Sequence, residues 1–91
     1  MNICVIGAGI VGSFISEKLA KEGHQVKVVD INNSSLEKLS LKANILPLNC
    51  DISSLSCISR CSQCETYLIL TNNDELNLSI AQYISKILGK S

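Results

Sequence analysis

Apolar positions along the chain alternate between short continuous runs and stripes at helical spacing. Asn2–Ile6 is an apolar run short enough for a strand buried on both faces, and the segment Gly7-Ala8-Gly9-Ile10-Val11-Gly12 follows it. Val11, Phe14, Ile15 and Leu19 then recur at helical spacing until Gly23 supplies a stop. Gln25–Asp30 is rich in valine and predicts a second strand, after which Asn32-Asn33-Ser34-Ser35 offers turn and N-cap chemistry. A short helix carrying Leu36 and Leu39 is expected over residues 35–42. Residues 44–49 predict a third strand, residues 53–62 a third helix and residues 66–71 a fourth strand. The last stripe, with Ile80, Ile84 and Ile87 on one side, predicts a helix over residues 74–88.

Strand and helix therefore alternate four times, the pattern of an α/β protein with a parallel sheet covered on both faces. Pro47 cannot donate a ladder hydrogen bond, so the third strand belongs at an edge. In a Rossmann-type sheet of order 3-2-1-4 that strand is the edge. Residues 1–91 are expected to form one such domain, stopping at Gly89-Lys90-Ser91 just before a fifth strand. The fourth strand would then keep an unpaired side that neither charge nor proline protects. A homodimer is the expected remedy, with strand four or helix four on the partner and Ile80, Tyr83, Ile84 and Ile87 supplying buried contacts.

Composition narrows the function. Ninety-one residues with 46% apolar content suit one small domain, and 8 basic residues balance 8 acidic ones without forming a run. Nothing supplies the basic stripe that nucleic acid would need. The longest nearly uncharged apolar stretch, residues 3–15, is broken by three glycines and is too short to cross a bilayer, which excludes direct membrane insertion. No signal peptide opens the chain, so a cytoplasmic location is expected. Five cysteines, an odd number, do not resemble a secreted disulfide scaffold, and reduced thiols are the default. Cys57, Cys61 and Cys64 carry a CxxxCxxC spacing, but on one face of the expected third helix they read as small apolar packing residues binding no metal. The single histidine, His24, follows Gly23 at the end of the first helix, where a structural role is expected. No nucleophile with an adjacent base can be assembled, so no catalytic residue is assigned.

The glycine segment carries the chemistry. It lies between a strand and a helix and is followed, 18 residues after Gly12, by Asp30 at the carboxyl end of the second strand. Gly7 permits the tight turn, Gly9 lets backbone approach a pyrophosphate and Gly12 lets the helix pack on the sheet. Negative charge would meet backbone N–H groups at the helix start. A carboxylate at Asp30 can accept both ribose hydroxyls and would repel a 2′-phosphate, which favours NAD(H) or an adenosine nucleotide over NADP. Ile10 is apolar where a polar side chain could reach phosphate, so NAD(H), ADP or AMP fits better than ATP.

In the second half, Asn49-Cys50-Asp51-Ile52-Ser53 is followed by Thr71-Asn72-Asn73-Asp74-Glu75-Leu76-Asn77. Together with the glycine segment and Val29-Asp30, these residues resemble the N-terminal nucleotide-binding domain of RCK (KTN, TrkA-N-like) proteins over nearly the whole chain. The resemblance implies a regulatory domain of a Trk/Ktr-type potassium uptake system. Such a domain senses NAD(H), ADP, AMP or ATP and biases a membrane-embedded transporter subunit. It would lie in the cytoplasm, peripheral at the inner face of the membrane through that partner. Phosphate would be held by Gly7, Gly9, Ile10, Val11 and Gly12, ribose by Asp30 and Ile31, and adenine by Asp51 and Ile52. Thr71 and Asn72 would sit near the phosphates or the ribose beyond. The sequence departs from the family pattern at Cys50, where a glycine is usual, and at Ile52, where a small residue is usual. Two other classes remain open: the cofactor-binding half of an NAD- or FAD-dependent oxidoreductase, and a dimerisation module without ligand.

Overall fold

A computed structural model describes residues 1–89. Strands β1 (Asn2–Ile6), β2 (Gln25–Asp30), β3 (Ile45–Asn49) and β4 (Thr66–Ile69) form one sheet in the order β3-β2-β1-β4. Every pairing is parallel, with Val5 opposite Val28 on one side and Leu68 on the other. Helices α1 (Ile10–Lys21), α2 (Asn33–Glu37), α3 (Leu55–Arg60) and α4 (Asp74–Leu88) connect and follow the strands. The expected α/β architecture and strand order are thus observed, with Pro47 on edge strand β3. Of the expected stop at Gly89-Lys90-Ser91 ahead of a fifth strand, Gly89 is the C-cap of α4, and Lys90 and Ser91 lie outside the described residues.

Alternation along β1 divides the interior into two layers. Ile3 and Val5 join Val26, Val28, Ala20, Leu36 and Leu39 on the α1 and α2 side. Cys4 and Ile6 join Val29, Leu48, Ile58, Ile80 and Ile84 on the α3 and α4 side. This is what a central parallel strand requires, since both its faces are removed from water.

Helix α1 does not bury the stripe that its larger residues suggested. Gly12, Ser16 and Ala20, spaced by four, are its buried positions, whereas Val11 and Phe14 are 59% and 65% exposed. The reason is distance: a Cβ on Gly12 would lie 1.8 Å from the Gly7 carbonyl oxygen. A helix that close to the strand ends leaves room for small side chains only, and bulkier ones turn outward.

The short helices differ from expectation at their ends. Asn32 caps α2 by accepting from the Ser34 N–H, so this helix begins earlier than expected and gives way after Glu37 to a 3-10 turn, Leu39–Leu41. Ser54 accepts from the Cys57 N–H and starts α3, which stops at Arg60, so Cys61 is its C-cap and Cys64 lies in the turn beyond. The three cysteines are nevertheless all buried. Cys57 is joined to Cys50 by a disulfide, which corrects the expectation of five reduced thiols. The turn over residues 51–54 brings the end of β3 back to the first turn of α3, leaving the two Cα atoms 5.7 Å apart, within ordinary disulfide reach.

Helix α4 has the expected bounds, capped by the Asn73 side chain at Leu76 N–H. Ile80 and Ile84 are 6% and 2% exposed within the domain's own core, so they are not available as the dimer contacts expected of them. Ile87, 43% exposed, remains at the surface.

Two substitutions on the buried face of α1 should move stability in opposite directions. Gly12→Ala forces the helix off the Gly7 carbonyl and should destabilise by about 3 kcal/mol. The Ser16 hydroxyl is buried without a hydrogen-bond partner, so Ser16→Ala should stabilise by about 1 kcal/mol. Urea unfolding midpoints of the two variants check both signs.

Candidate functional site

The carboxyl ends of the strands open onto a cleft of about 1060 Å³. Its floor is apolar, made by Ile6, Val29, Ile69 and Leu70 at the strand ends, and Ile80 of α4 lines one wall. Gly7, Gly9, Ile10, Val11, Asp30, Ile31, Asp51, Ile52, Thr71 and Asn72 all line it, so ten of the eleven residues singled out from sequence share one cavity. Gly12 does not, because it lies beneath the turn as a packing residue.

The turn is built by close approach. Gly7 has φ +112°, and a Cβ there would meet the Leu70 and Thr71 backbone at 2.8–2.9 Å. Its N–H continues the β2 ladder by donating to the Val29 carbonyl at 2.8 Å. The next N–H, of Ala8, donates to Asp30 Oδ2 at 2.8 Å. Gly9 is different, since a Cβ there would meet nothing within 4 Å. It is also the N-cap of α1 and makes no side-chain cap, whereas Asn32, Ser54 and Asn73 cap the other three described helices. The start of α1 therefore offers N–H groups and the positive end of a helix of 12 residues to the cleft.

Asp30 is more occupied than sequence suggested. Besides Ala8 N–H at Oδ2, it accepts the Asn32 N–H at Oδ1, also at 2.8 Å. Each carboxylate oxygen keeps a further acceptor site, so the group holds the turn and still presents acceptors to the cleft. Asn49 Nδ2 donates to the Asp30 and Ile31 carbonyls at 3.0 Å and fixes the end of β2 from the neighbouring strand. On that side Asp51 Oδ1 accepts from the Ser53 N–H at 2.9 Å and the Ser53 hydroxyl at 2.7 Å. The Ser53 backbone bond, then its hydroxyl, hold the Asp51 carboxyl below its ordinary value of 3.8.

At the far wall Asn77 closes the turn after β4. Its Nδ2 donates to the Thr71 carbonyl at 3.0 Å, and the Thr71 hydroxyl donates to Asn77 Oδ1. Among the described residues the lining includes three aspartates, Asp30, Asp51 and Asp74, and no lysine, arginine or histidine.

The model of the TrkA-N domain matches residues 3–91. The chain belongs to the TrkA-N domain family. It is 31% identical over 85 residues to the Trk system potassium uptake protein TrkA of Halomonas elongata, an alignment covering 90% of this chain. The chain spans 18% of the length of that relative.

Some residues of this TrkA-N domain that shape the cleft were not identified from sequence. Asn32, Ser35, Ser53 and Leu76 line it, and Tyr83 donates to the Ser53 carbonyl at 3.1 Å, tying α4 to the 51–54 turn. Only the Asn and Ser residues carried a signal, as cap and turn formers. Tyr83 gave none, because its partner is a backbone carbonyl 30 residues away.

Beneath the cleft lies a second cluster. Cys4, Cys61 and Cys64 are buried thiols; hydrogen bonding with Cys61 and Cys64, then burial, push the Cys4 thiol up, and the same bond lowers Cys61. Tyr67 donates its hydroxyl to the Cys61 carbonyl, and burial pushes the phenol up to about 12. No group of three or more His, Cys, Asp or Glu among the described residues could hold a metal ion.

Two outcomes follow for the carboxylates. Asp30→Asn leaves one of two N–H donors without its acceptor and should cost about 2 kcal/mol, with the Ala8 or Asn32 amide resonance shifting. Asp51, its folded pKa depressed, contributes stability above the unfolded value that is lost as pH falls through the folded one. Asp51→Asn should therefore flatten the decline in urea midpoint below about pH 4 and leave the profile near neutrality unchanged in shape.

Proposed function

We propose that the cleft binds the adenosine diphosphate moiety of a nucleotide, NAD(H) foremost, with ADP, AMP or ATP as further ligands. The observation that carries this reading is the uncapped start of α1, opening onto the cleft beside a carboxylate anchored to the same turn. Pyrophosphate would lie at Gly7, Gly9, Ile10, Val11 and Gly12, with Gly12 acting by seating the helix. Asp30 and Ile31 would hold ribose and Asp51 and Ile52 adenine, with Thr71 and Asn72 facing the phosphates or the ribose beyond. The absence of cationic side chains from the lining among the described residues favours ligands with few phosphates. Cys50 lines the cleft, and its bond to buried Cys57 ties its side chain to the α3 and α4 layer, so the bulk that replaces a glycine there is held in one position.

The biological role proposed is regulatory. Family membership and the Halomonas relative support a domain of a potassium uptake system that senses the nucleotide and biases a membrane-embedded transport subunit from the cytoplasm. Binding would act by favouring one of two conformations, with no chemical step. No described helix is long and apolar enough to cross a membrane. A homodimer is proposed through the outer edge of β4, with Ile87 rather than Ile80 or Ile84 at the contact.

Thermal denaturation with added ligand tests the reading. NAD(H), ADP or AMP at 100 times Kd should stabilise by about 2.7 kcal/mol, a rise on the order of 10 °C. NADP should give little, because its 2′-phosphate would meet Asp30. Gly9→Val, whose side chain enters open space, should leave the ligand-free melting temperature within about 3 °C and abolish the rise. Equal shifts with NADP, or an undiminished rise in Gly9→Val, would refute the placement.

A further inference from the structure

The disulfide connects the cleft to the layer beneath it. Cys50 is partly exposed and lines the cleft, whereas Cys57 is wholly buried in the first turn of α3. Between them runs the turn of Asp51 and Ile52, the residues assigned to adenine in the proposal on which this inference rests. Cys4, Cys61 and Cys64 stay thiols at 0% exposure, so this domain is not a disulfide-stapled scaffold. Its one bridge spans only seven residues and sits where a ligand would be held. Of the two bridged residues Cys50 is the partly exposed one, so an external thiol would approach from its side.

We infer that Cys50 and Cys57 are a redox-reversible pair that sets the affinity of the cleft for the adenine end of a nucleotide, the disulfide form binding more tightly. Reduction requires a dithiol reductant. Its thiolate attacks Cys50 Sγ, the S–S bond breaks, and the electron pair leaves on Cys57 Sγ, which takes up a proton. The second thiol of the reductant then attacks the mixed disulfide and releases Cys50 as a thiol. The protein gains two electrons and two protons, and the reductant becomes a disulfide. A disulfide oxidant reverses the sequence.

Opening the bridge leaves the turn shaped by the Asp51–Ser53 bonds and by the Tyr83 hydroxyl on the Ser53 carbonyl, without its covalent tie to α3. Cys50 is then free to rotate toward the cleft. A ligand that orders this turn must overcome both changes, and affinity should fall about fivefold.

The test uses ADP as probe on the full chain. Isothermal titration is run on the disulfide form and on protein equilibrated with dithiothreitol, with iodoacetamide labelling under native conditions counted by mass. Reduction should add one reactive thiol, Cys50, and raise the Kd for ADP about fivefold. Cys57→Ala should show the weaker Kd with or without reductant; should that variant not fold, the two wild-type forms decide. Equal Kd values in the two forms overturn the coupling and leave nucleotide binding standing. Absence of ADP binding in both overturns the coupling together with the nucleotide reading. A bridge that dithiothreitol cannot open overturns the reversible pair itself.

Discussion

The turn between β1 and α1 is held by backbone contacts at Gly7 and Gly12 that leave no room for a side chain, and the geometry of the cleft follows from that. Gly7 presses against the backbone of Leu70 and Thr71, Gly12 presses against the Gly7 carbonyl, and Asp30 holds the Ala8 N–H from the neighbouring strand. Three separate segments are thereby held at fixed separation around one short turn. Close-packed backbone of this kind has few alternative arrangements, because any relaxation must move a strand or a helix as a unit. The start of α1, the end of β2 and the turn after β4 consequently face the same cavity.

Much of this was legible in the residues, for identifiable physical reasons. β1 and β2 are apolar runs ended by a glycine and an aspartate, and α4 starts at an Asn cap and stops at a glycine, so their bounds are local properties. Pro47 marked its own strand as an edge, since a missing donor is intolerable elsewhere. Asp30 could be placed in the cleft because strand polarity and spacing suffice for that. Its two backbone partners could not, because they depend on how the turn folds back over β2.

The misreadings fall where tertiary arrangement, not local pattern, decides. In α1 the apolar stripe and the buried stripe differ, since contact at backbone distance selects for small side chains and not for hydrophobic ones. In α3 the cysteines were expected on one face of a helix over residues 53–62, but the chain leaves the helix after Arg60 and reaches the same layer by a turn. The Cys50–Cys57 bridge depends on a reversal of direction over residues 51–54, and nothing in the count or spacing of five cysteines specifies one pair.

The contrast between the two helical layers has a mechanical consequence. At Gly12 the α1 backbone lies so near the Gly7 carbonyl that no side chain fits between them. Sliding there would drive backbone into backbone. Across the sheet, α4 rests on the side chains of Ile80 and Ile84, which keep its backbone clear of the strands. A displacement that began in the cleft would thus meet backbone contact at α1 and side-chain contact at α4, and α1 would be the frame against which α4 shifts.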